Sequence, residues 1–383
     1  MKSLDQSTIR KQNVRKILDL LTAQSPRTRQ SLAEVTGLSL MTVTNLVDQL
    51  KAQNVLELTP VARSGGAKPL SGRKAENISL YGGGHAWLIV DLSGWNFRYA
   101  LLGFDLNVLA EKTCAEEGAY LPRLEAFLCR IREEIASELG GRELLGVAVV
   151  APGPYEIASD TVYNQRLPEL NSVKIKALLK RCLGDYDYYV DEDVKFAVRA
   201  FAPLIEQDPC ELLYFLYIGE GVGGAAVHNG NMMRGLNATA GDAGQLTRPD
   251  GSTYESLLSL SAFAASLNGQ AESARQSLEK LQCCANEQAG AYLQALNQSA
   301  GTVADMLYNV LWVLDPNHII IDCRYALQHR DAFSTMIRTH LDTRFAASGR
   351  RLPPITPAPQ GMSSVVRGAV QVLQREWIER ILA

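Results

Sequence analysis

Residues 29–53 read RQSLAEVTGLSLMTVTNLVDQLKAQ, two short amphipathic segments separated by a glycine turn. Gly37 marks the turn, and Ser39 can cap a second helix that runs from Leu40 to Gln53 without Gly or Pro. Apolar residues recur at spacings of three and four, so we expect them to lie on the shared inner faces of two crossing helices. They are Leu32, Ala33, Val35, Leu38, Val43, Leu46, Val47 and Leu50. The pattern predicts a helix-turn-helix.

The second predicted helix presents small and flexible side chains to solvent at its start. Asn and Thr reach base edges in the major groove, and the first turns of the second helix are where such proteins contact bases. We therefore predict DNA contacts from Met41, Thr42, Thr44 and Asn45. A helical hairpin with no nucleic-acid role is the alternative that the motif alone leaves open.

Charge is divided unevenly along the chain. Residues 1–80 hold twelve basic and six acidic side chains, a balance of +6, whereas residues 81–383 hold 26 basic and 35 acidic side chains, a balance of −9. A basic module neutralises phosphates, and an acidic body stays away from the duplex. The division favours double-stranded DNA as a partner of the N-terminal part.

Residues 54–80 have the pattern of a wing. A strand NVLELTP is followed by a Ser-Gly-Gly-Ala-Lys-Pro loop and a returning strand SGRKAENISL. We expect Arg63, Arg73 and Lys74 to contact DNA, the last two by entering the adjacent minor groove. Residues 1–80 are thus predicted to be a winged helix-turn-helix domain.

Composition favours a cytoplasmic protein. The N-terminus MKSLDQSTIRKQ is polar, and no apolar run approaches the ~18 residues that a membrane span needs. The seven cysteines are scattered and contain no C-x-x-C pair, which is typical of free thiols in a reducing compartment.

Beyond residue 80 the hydrophobic pattern predicts alternating strands and helices. Three strand-like runs joined by Gly-containing turns begin near Ala86 and again near Glu211, which indicates an internal duplication. The later spacings suit crossover helices that cover a mixed sheet. The predicted fold class is α/β, with a first lobe at 81–195, completed by a C-terminal helix at 364–383, and a second lobe at 196–363.

Four segments occur in a characteristic order: WLIVDLSGW, VAVVAPGPYEIASDTVYNQRLPEL, VDEDVKFA and YIGEGVGGAAVHNGNMMRGLNATAGDAGQ. They resemble the first phosphate loop, the Pro-Gly segment, the Glu-Asn-Asp-Ala-Asn-Ala segment and the second phosphate loop of the ROK family, named for repressors, open reading frames and sugar kinases. The resemblance covers nearly the whole chain and is closest to the N-acetylglucosamine and xylose repressor branch. It implies a ribonuclease-H-like, actin-type two-lobed fold that binds a sugar between its lobes.

Departures from the family concentrate in the segments that would hold ATP. Family kinases have Asp-x-Gly-Gly-Thr in the first loop, whereas this chain has Asp-Leu-Ser-Gly-Trp with a bulky Trp95. Glu220 replaces a Thr that would meet a phosphate, and Asp322 with Cys323 replaces a Gly-Gly pair expected beneath adenosine. These changes predict a non-catalytic protein without a nucleotide cofactor.

The sugar subsite implied by the resemblance stays polar. Asp193 aligns with the kinase base, and we expect it to bind ligand instead of abstracting a proton. The expected effector-binding residues are Asn164, Arg166, Glu192, Asp193, Asp242, Gln245 and Glu255. Arg166 favours a ligand with an acidic group, or pairs with Glu192 or Asp193. A closed crevice that binds no ligand is the remaining alternative.

The zinc motif of the family is replaced in this chain. Where family members have Gly-His followed by Cys-x-Cys-Gly-x-x-Gly-Cys, this sequence reads GQLTRPDGSTYESL. A structural zinc needs four donor ligands of the His and Cys type. We therefore predict no metal, and expect Arg248, Asp250 and Tyr254 to order this loop.

Together these features predict a sugar-responsive, DNA-binding transcriptional regulator, with repression as the family's commoner behaviour. Coupling requires that the effector prefer one arrangement of the protein. A homodimer or dimer of dimers on a palindromic operator is expected, with the helix from Ala289 to Leu314 as a candidate dimer contact. The alternatives are an ATP-dependent sugar kinase with an appended DNA-binding domain, and a regulator controlled by a protein partner.

Overall fold

The computed structural model describes residues 6–61, 76–94, 96–114, 118–164, 167–201, 212–268, 289–359 and 363–382. It contains a small N-terminal head and two α/β lobes, each built on a five-stranded sheet. No helix among these residues is long and apolar enough to cross a membrane.

Three helices form the head: α1 (Gln6–Ala23), α2 (Arg29–Thr36) and α3 (Leu40–Ala52). Thr28 caps α2 by accepting the N–H of Ser31 at 3.2 Å, and Ser39 caps α3 by accepting the N–H of Thr42 at 3.1 Å. Gly37 ends α2 with φ +70°, in the left-handed region that favours glycine. The predicted helix-turn-helix, with its turn and its serine cap, is confirmed.

The head core contains most of the apolar residues that the spacing selected. Leu32, Val43, Leu46, Val47 and Leu50 are buried, and Ala33 and Leu38 pack half-buried against them. The prediction for Val35 is wrong, because its side chain is 56% exposed. Only the side of the short α2 that carries Leu32 meets the other helices, and Val35 projects from a different side.

The wing consists of β1 (Leu56–Pro60) and β2 (Glu76–Leu80), which pair antiparallel with Leu56 opposite Leu80. Ile78 exchanges two backbone hydrogen bonds with Arg27, at 3.0 and 2.7 Å. The wing is therefore fastened to the segment that leads into α2. Its predicted tip, residues 62–75, lies outside the described residues.

The first lobe contains a mixed sheet flanked by helices. Its elements are β3 (His85–Asp91), β4 (Phe97–Gly103), β5 (Val108–Cys114), α4 (Tyr120–Glu138), β6 (Glu143–Ala151), the small hairpin β7 (Tyr155–Glu156) and β8 (Thr161–Val162), α5 (Ile175–Cys182) and β9 (Tyr188–Glu192). The strand order is β5-β4-β3-β6-β9. Alternate residues of β3 face opposite ways: Leu88 packs under α4 and α5, and Trp87 packs on the other face.

The second lobe repeats this strand order. α6 (Asp193–Arg199) connects it to the first lobe, and its own elements are β10 (Leu212–Ile218), β11 (Val222–His228), β12 (Asn231–Met232), α7 (Tyr254–Leu258), α8 (Leu260–Asn268), α9 (Ala289–Val313), β13 (His318–Cys323), α10 (Arg330–Phe345) and β14 (Ile355–Pro357). The order β12-β11-β10-β13-β14 matches that of the first sheet, with an antiparallel trio extended by two parallel strands. The shared order confirms the expected duplication.

A C-terminal helix, α11 (Ser364–Ile381), joins the head to the first lobe. Its Trp377 ring lies 5.3 Å from that of Phe104, and Lys11 of the head forms an ion pair with its Glu379. One hydrophobic cluster runs from Ile17 in α1 to Trp377. The apolar faces of the head and the first lobe are therefore buried together.

Candidate functional site

The outward side of α3 carries the residues that the sequence assigned to DNA. Met41 is 71% exposed, Asn45 is also exposed, and Thr42 and Thr44 are half-buried. The Thr42 hydroxyl lies 2.8 Å from the Ser39 hydroxyl, so it belongs to the helix cap. The predicted contacts Arg63, Arg73 and Lys74 lie outside the described residues.

The later outward positions of α3 are held by arginines from neighbouring elements. Arg29 donates to Asp48 and to Glu76 of the wing, each at 2.7 Å. Arg10 donates to the side-chain oxygen of Gln49, also at 2.7 Å. These contacts fix α3 relative to α1, α2 and the wing. Sequence reasoning missed Arg29, because its two partners lie far along the chain.

A second candidate site is a cleft of 470 Å³ between the two lobes. It brings together segments that are distant in sequence: the loop after β6, the start of α6, β11, and the loop that leads to α7. Six of the seven predicted effector residues line it, namely Asn164, Glu192, Asp193, Asp242, Gln245 and Glu255. The seventh, Arg166, lies outside the described residues.

Glu192 is held from two directions. Its Oε1 accepts the Tyr155 N–H at 3.1 Å and the ammonium of Lys195. Lys195 is only 2% exposed and also donates to the carbonyl of Ala238 in the second lobe. The buried ammonium has both partners in place and so links the segments of Glu192 and Ala238. A buried ammonium without partners would lower the stability of the fold. Sequence reasoning missed Lys195, since a lysine two residues after Asp193 carries no motif signal of its own.

Asp193 stands at the start of α6 and accepts the N–H of Val194 at 2.7 Å. Burial is the main cause that raises the pKa of its carboxyl to about 7, and the nearby carboxylates of Asp91, Glu192 and Asp242 contribute to the same rise by repulsion. The proton affinity of Asp193 therefore lies in the range of a general base that works near neutral pH.

Asp242 and Glu255 lie together in the second-lobe wall of the cleft. Burial raises the pKa of Asp242 to about 6, with Glu255 and Glu192 contributing by repulsion. Glu255 accepts the Val222 N–H at 3.1 Å. One oxygen of Asp242, Oδ1, is buried and has no hydrogen-bond partner among the described residues. A buried acceptor of this kind favours a ligand that donates a hydrogen bond.

The remaining predicted residues occupy the edges of the cleft. Asn164 donates from its side chain to the Gly153 carbonyl at 2.8 Å. Gln245 ends a short 3₁₀ helix and is exposed at the rim. Gly244, next to it, has no room for a side chain because a Cβ there would collide with the Val222 carbonyl.

The second-lobe loop at residues 234–242 is tied to the first lobe by an ion pair. Arg234 donates through both terminal nitrogens to the carboxylate of Asp191, with the Nη1 contact at 3.1 Å. Asp191 is 5% exposed, and Arg199 approaches it to 3.9 Å. A two-pronged guanidinium–carboxylate contact fixes direction as well as distance. The loop from Arg234 to Asp242 thus bridges the two lobes.

The segments expected to hold ATP in a kinase carry acidic side chains in this protein. The Asp91 carboxylate accepts the Ser93 N–H at 3.0 Å and its hydroxyl at 2.6 Å, and also accepts from Arg98. A Cβ on Gly94 would lie 4.0 Å from a carboxylate oxygen of Glu220, so this acid reaches the first loop. Trp95 lies outside the described residues.

The expectation that Cys323 lies beneath the adenosine position of a kinase is wrong. Its side chain is buried in the second-lobe core, because β13 alternates and turns Cys323 away from the face that carries Asp322. Burial raises the pKa of the Asp322 carboxyl. Of the two side chains in this segment, only Asp322 is placed away from the core.

The loop at residues 246–254, where the family resemblance would place zinc ligands, is held by hydrogen bonds within the loop. Arg248 donates its N–H to Ser252 at 2.8 Å, and Asp250 accepts the N–H of Ser252 at 3.0 Å. Tyr254 is buried at the start of α7. Within the described ranges, no three His, Cys, Asp or Glu side chains are grouped to hold a metal.

Comparison with known proteins assigns both parts of the chain. Residues 10–57 match the winged helix-turn-helix DNA-binding model, and residues 88–376 match the ROK family model. A search of curated proteins finds no match.

Three solved structures illustrate the likeness in fold. A ROK family transcriptional regulator, a homolog of the E. coli MLC protein, is 16% identical, with 97% of each chain covered and a TM-score of 0.62. A ROK family glucokinase from Streptomyces griseus, in complex with glucose and AMPPNP, is 16% identical, with 76% of this chain and 99% of that chain covered and a TM-score of 0.61. A ROK family protein from Streptococcus pneumoniae, in complex with sucrose, is 17% identical, with 77% and 99% covered and a TM-score of 0.57.

The fold, the two-lobed cleft and the family match therefore agree. Because the ROK model covers more than half of the chain, the protein belongs to the ROK family.

Proposed function

We propose that this protein is a transcriptional regulator, with repression as its expected mode, whose head binds an operator and whose interlobe cleft binds a carbohydrate or sugar derivative. The single observation that carries the proposal is the combination of a winged helix-turn-helix with a polar cleft in one continuous structure. We also propose three domains: the head up to residue 80, a first lobe at 81–195 that is completed by α11, and a second lobe at 196–363.

A hydroxyl-rich ligand suits the lining of the cleft. The carboxylates of Asp193, Asp242 and Glu255 accept hydrogen bonds from hydroxyls, and the Gln245 amide both donates and accepts. The unpartnered Oδ1 of Asp242 gains a hydrogen bond only when a donor enters the cleft. Arg166 is proposed as the residue that would meet an acidic group on the ligand.

Continuity between the head and the first lobe supports communication between the two sites. The hydrophobic cluster that joins α1 to α11, together with the Lys11–Glu379 ion pair, makes the head a packed extension of the body. A change in lobe position that the ligand prefers would therefore alter the placement of α3. In a homodimer or dimer of dimers, that change would alter the fit to a palindromic operator.

The proposal includes an absence of phosphoryl transfer. The Asp91 carboxylate is already engaged by Ser93 and Arg98, and Glu220 adds a negative charge at the first loop. A carboxylate at ~4 Å from a phosphate costs on the order of 1 to 4 kcal/mol. No nucleotide or metal is part of the proposed mechanism.

Two measurements on the full-length chain test the proposal. Selection from a random duplex library should yield a discrete palindromic sequence, and thermal-shift screening against sugars and acidic sugar derivatives should yield a stabilising ligand. A ligand at about 100 times its dissociation constant adds roughly 2.7 kcal/mol of stability. Failure to select any duplex removes the DNA-binding half, and the absence of any stabilising sugar favours control by a protein partner instead.

A sugar kinase with an appended DNA-binding domain is the second candidate, and one observation favours it. The pKa of Asp193, raised to about 7, suits a general base. A coupled ATP assay across hexoses and pentoses separates the two candidates. Sugar-dependent ATP consumption that disappears in Asp193→Asn would establish the kinase.

A further inference from the structure

Two large apolar side chains stand exposed at the start of α3, next to the polar residues assigned to DNA. Leu40 is 55% exposed and Met41 is 71% exposed. Apolar side chains at the first turn of a helix usually face the core, as Val43 does here. Their exposure in a head with a compact buried core calls for a surface that covers them.

The two side chains are exposed for different reasons. At 3.6 residues per turn, Met41 lies on the outward face of α3, on one line with Asn45. Leu40 lies in line with the buried Val43 and Val47, but it is the first residue of the helix and stays exposed at its N-terminal end. The N-terminal end of α3 therefore presents apolar and polar side chains together.

The C-terminal part of the same face is occupied within the protein. Asp48 is paired with Arg29, and Gln49 accepts from Arg10, each at 2.7 Å. Side chains that remain available to a ligand are thus concentrated in the first two turns of α3. Recognition helices contact base edges mainly through their N-terminal residues, so this is also the part that enters a major groove.

We infer that Leu40 and Met41 are specificity-determining residues that contact the C5-methyl groups of thymines in the operator half-site. This inference rests on the proposed DNA-binding function of the head. Thymine is the base that presents a methyl group in the major groove, and apolar side chains recognise it by burying that methyl. The positive charge of residues 1–80 favours a polyanion over an apolar protein surface as the occupant of this face.

Replacing thymine by uracil in the selected duplex tests the inference, because it removes only the methyl group. We expect each contacted thymine to weaken binding by the full-length chain about fourfold when it becomes uracil, as burial of one methyl group predicts. Leu40→Ala and Met41→Ala should bind the thymine duplex more weakly and lose the discrimination between thymine and uracil. Ile9→Ala, which trims an exposed apolar residue of α1, is the matched control and should keep it.

The uracil comparison tests the inference, and the duplex selection tests the proposed function separately. Equal affinity for thymine and uracil duplexes at every half-site position overturns the inference alone and leaves the apolar pair to a protein partner. A chain that selects no duplex overturns both. Because Leu40 and Met41 are exposed, their alanine variants should fold, and the uracil comparison on the unaltered chain gives a result that needs no variant.

Discussion

The surfaces of the head and of the interlobe cleft are built in different ways. The head presents one face of a single helix, and Arg29 and Arg10 hold the C-terminal part of that face. The cleft is assembled from distant segments, and a buried cation, Lys195, occupies its floor. Loss of one side chain should therefore weaken contact with the partner at the head, but disturb the fold at the cleft.

The largest expected effect is on stability and arises in the cleft. Lys195→Met leaves the Glu192 carboxylate without its ammonium and the Ala238 carbonyl without a donor. We expect the free energy of unfolding of the lobes to fall by about 3 kcal/mol, the range for breaking a buried pair. Urea denaturation followed by far-UV circular dichroism measures the change.

The matched control is Lys180→Met, which removes a lysine from an exposed pair with Asp185 in the first lobe. Its urea midpoint should stay close to that of the unaltered chain, since exposed pairs contribute little. If both variants shift equally, the cleft floor is not held by Lys195.

The next effect is on DNA affinity and arises in the head. Asn45→Ala removes an exposed amide from the outward face of α3. We expect specific binding to weaken by about 2 kcal/mol, typical of one bidentate contact to a base, while non-specific binding is unchanged. Fluorescence anisotropy with selected and scrambled duplexes measures both.

Asn309→Ala, an exposed asparagine on α9 of the second lobe, serves as the control and should bind both duplexes normally. Equal loss on selected and scrambled duplexes by Asn45→Ala would mean that α3 does not read bases.

A smaller effect is the pH dependence that Asp193 contributes. In the folded chain its pKa is raised to about 7, above the value of an exposed aspartate, so the folded state holds a proton that the unfolded state has lost. The stability from Asp193 is present at low pH and is lost as the pH rises through 7. Between pH 5 and pH 8, the unaltered chain should lose on the order of 1.5 kcal/mol relative to Asp193→Asn.

Parallel denaturation series of both chains across this pH range measure the difference. Glu192, Asp242 and Lys195 surround position 193 in both chains, so the difference between the two series reports the titration of Asp193 together with its electrostatic coupling to these groups. Curves that stay parallel from pH 5 to pH 8 would show that Asp193 is ionised throughout.

The smallest effect is expected at Arg29. Arg29→Met frees Asp48 and Glu76 as two unneutralised acids beside the DNA-facing helix. We expect binding to selected and scrambled duplexes to weaken alike, by about 1 kcal/mol, because the acids repel phosphates of any sequence. Arg29→Lys restores the charge without the fork and should recover only part of the loss. A loss confined to the selected duplex would make Arg29 a base-reading residue instead.

The structure of the head could be predicted from the sequence more completely than that of the cleft. The helix-turn-helix depends on neighbours within one turn of helix, so Gly37, Ser39 and the buried face of α3 were predictable. Val35 was not, because its burial depends on where the neighbouring helices cross α2.

In the cleft, the motif segments located Asp193 and Asp242 correctly in one lining. Lys195 was missed because its role comes from Ala238, which lies 43 residues further along the chain and which no local pattern connects to it. The direction of Cys323 depended on the phase of β13, and one residue of phase decides whether a side chain faces the core or the cleft.

Communication between the interlobe cleft and the head can be measured directly in one binding experiment. The full-length chain is bound to its selected duplex, and a sugar identified by thermal shift is added while duplex affinity is followed. We expect a change in affinity of at least about fivefold, the lower end of allosteric coupling, and we expect Asp242→Asn to abolish this change while keeping the affinity measured without sugar. A sugar that binds the cleft and leaves duplex affinity unchanged would show that the cleft does not control DNA binding.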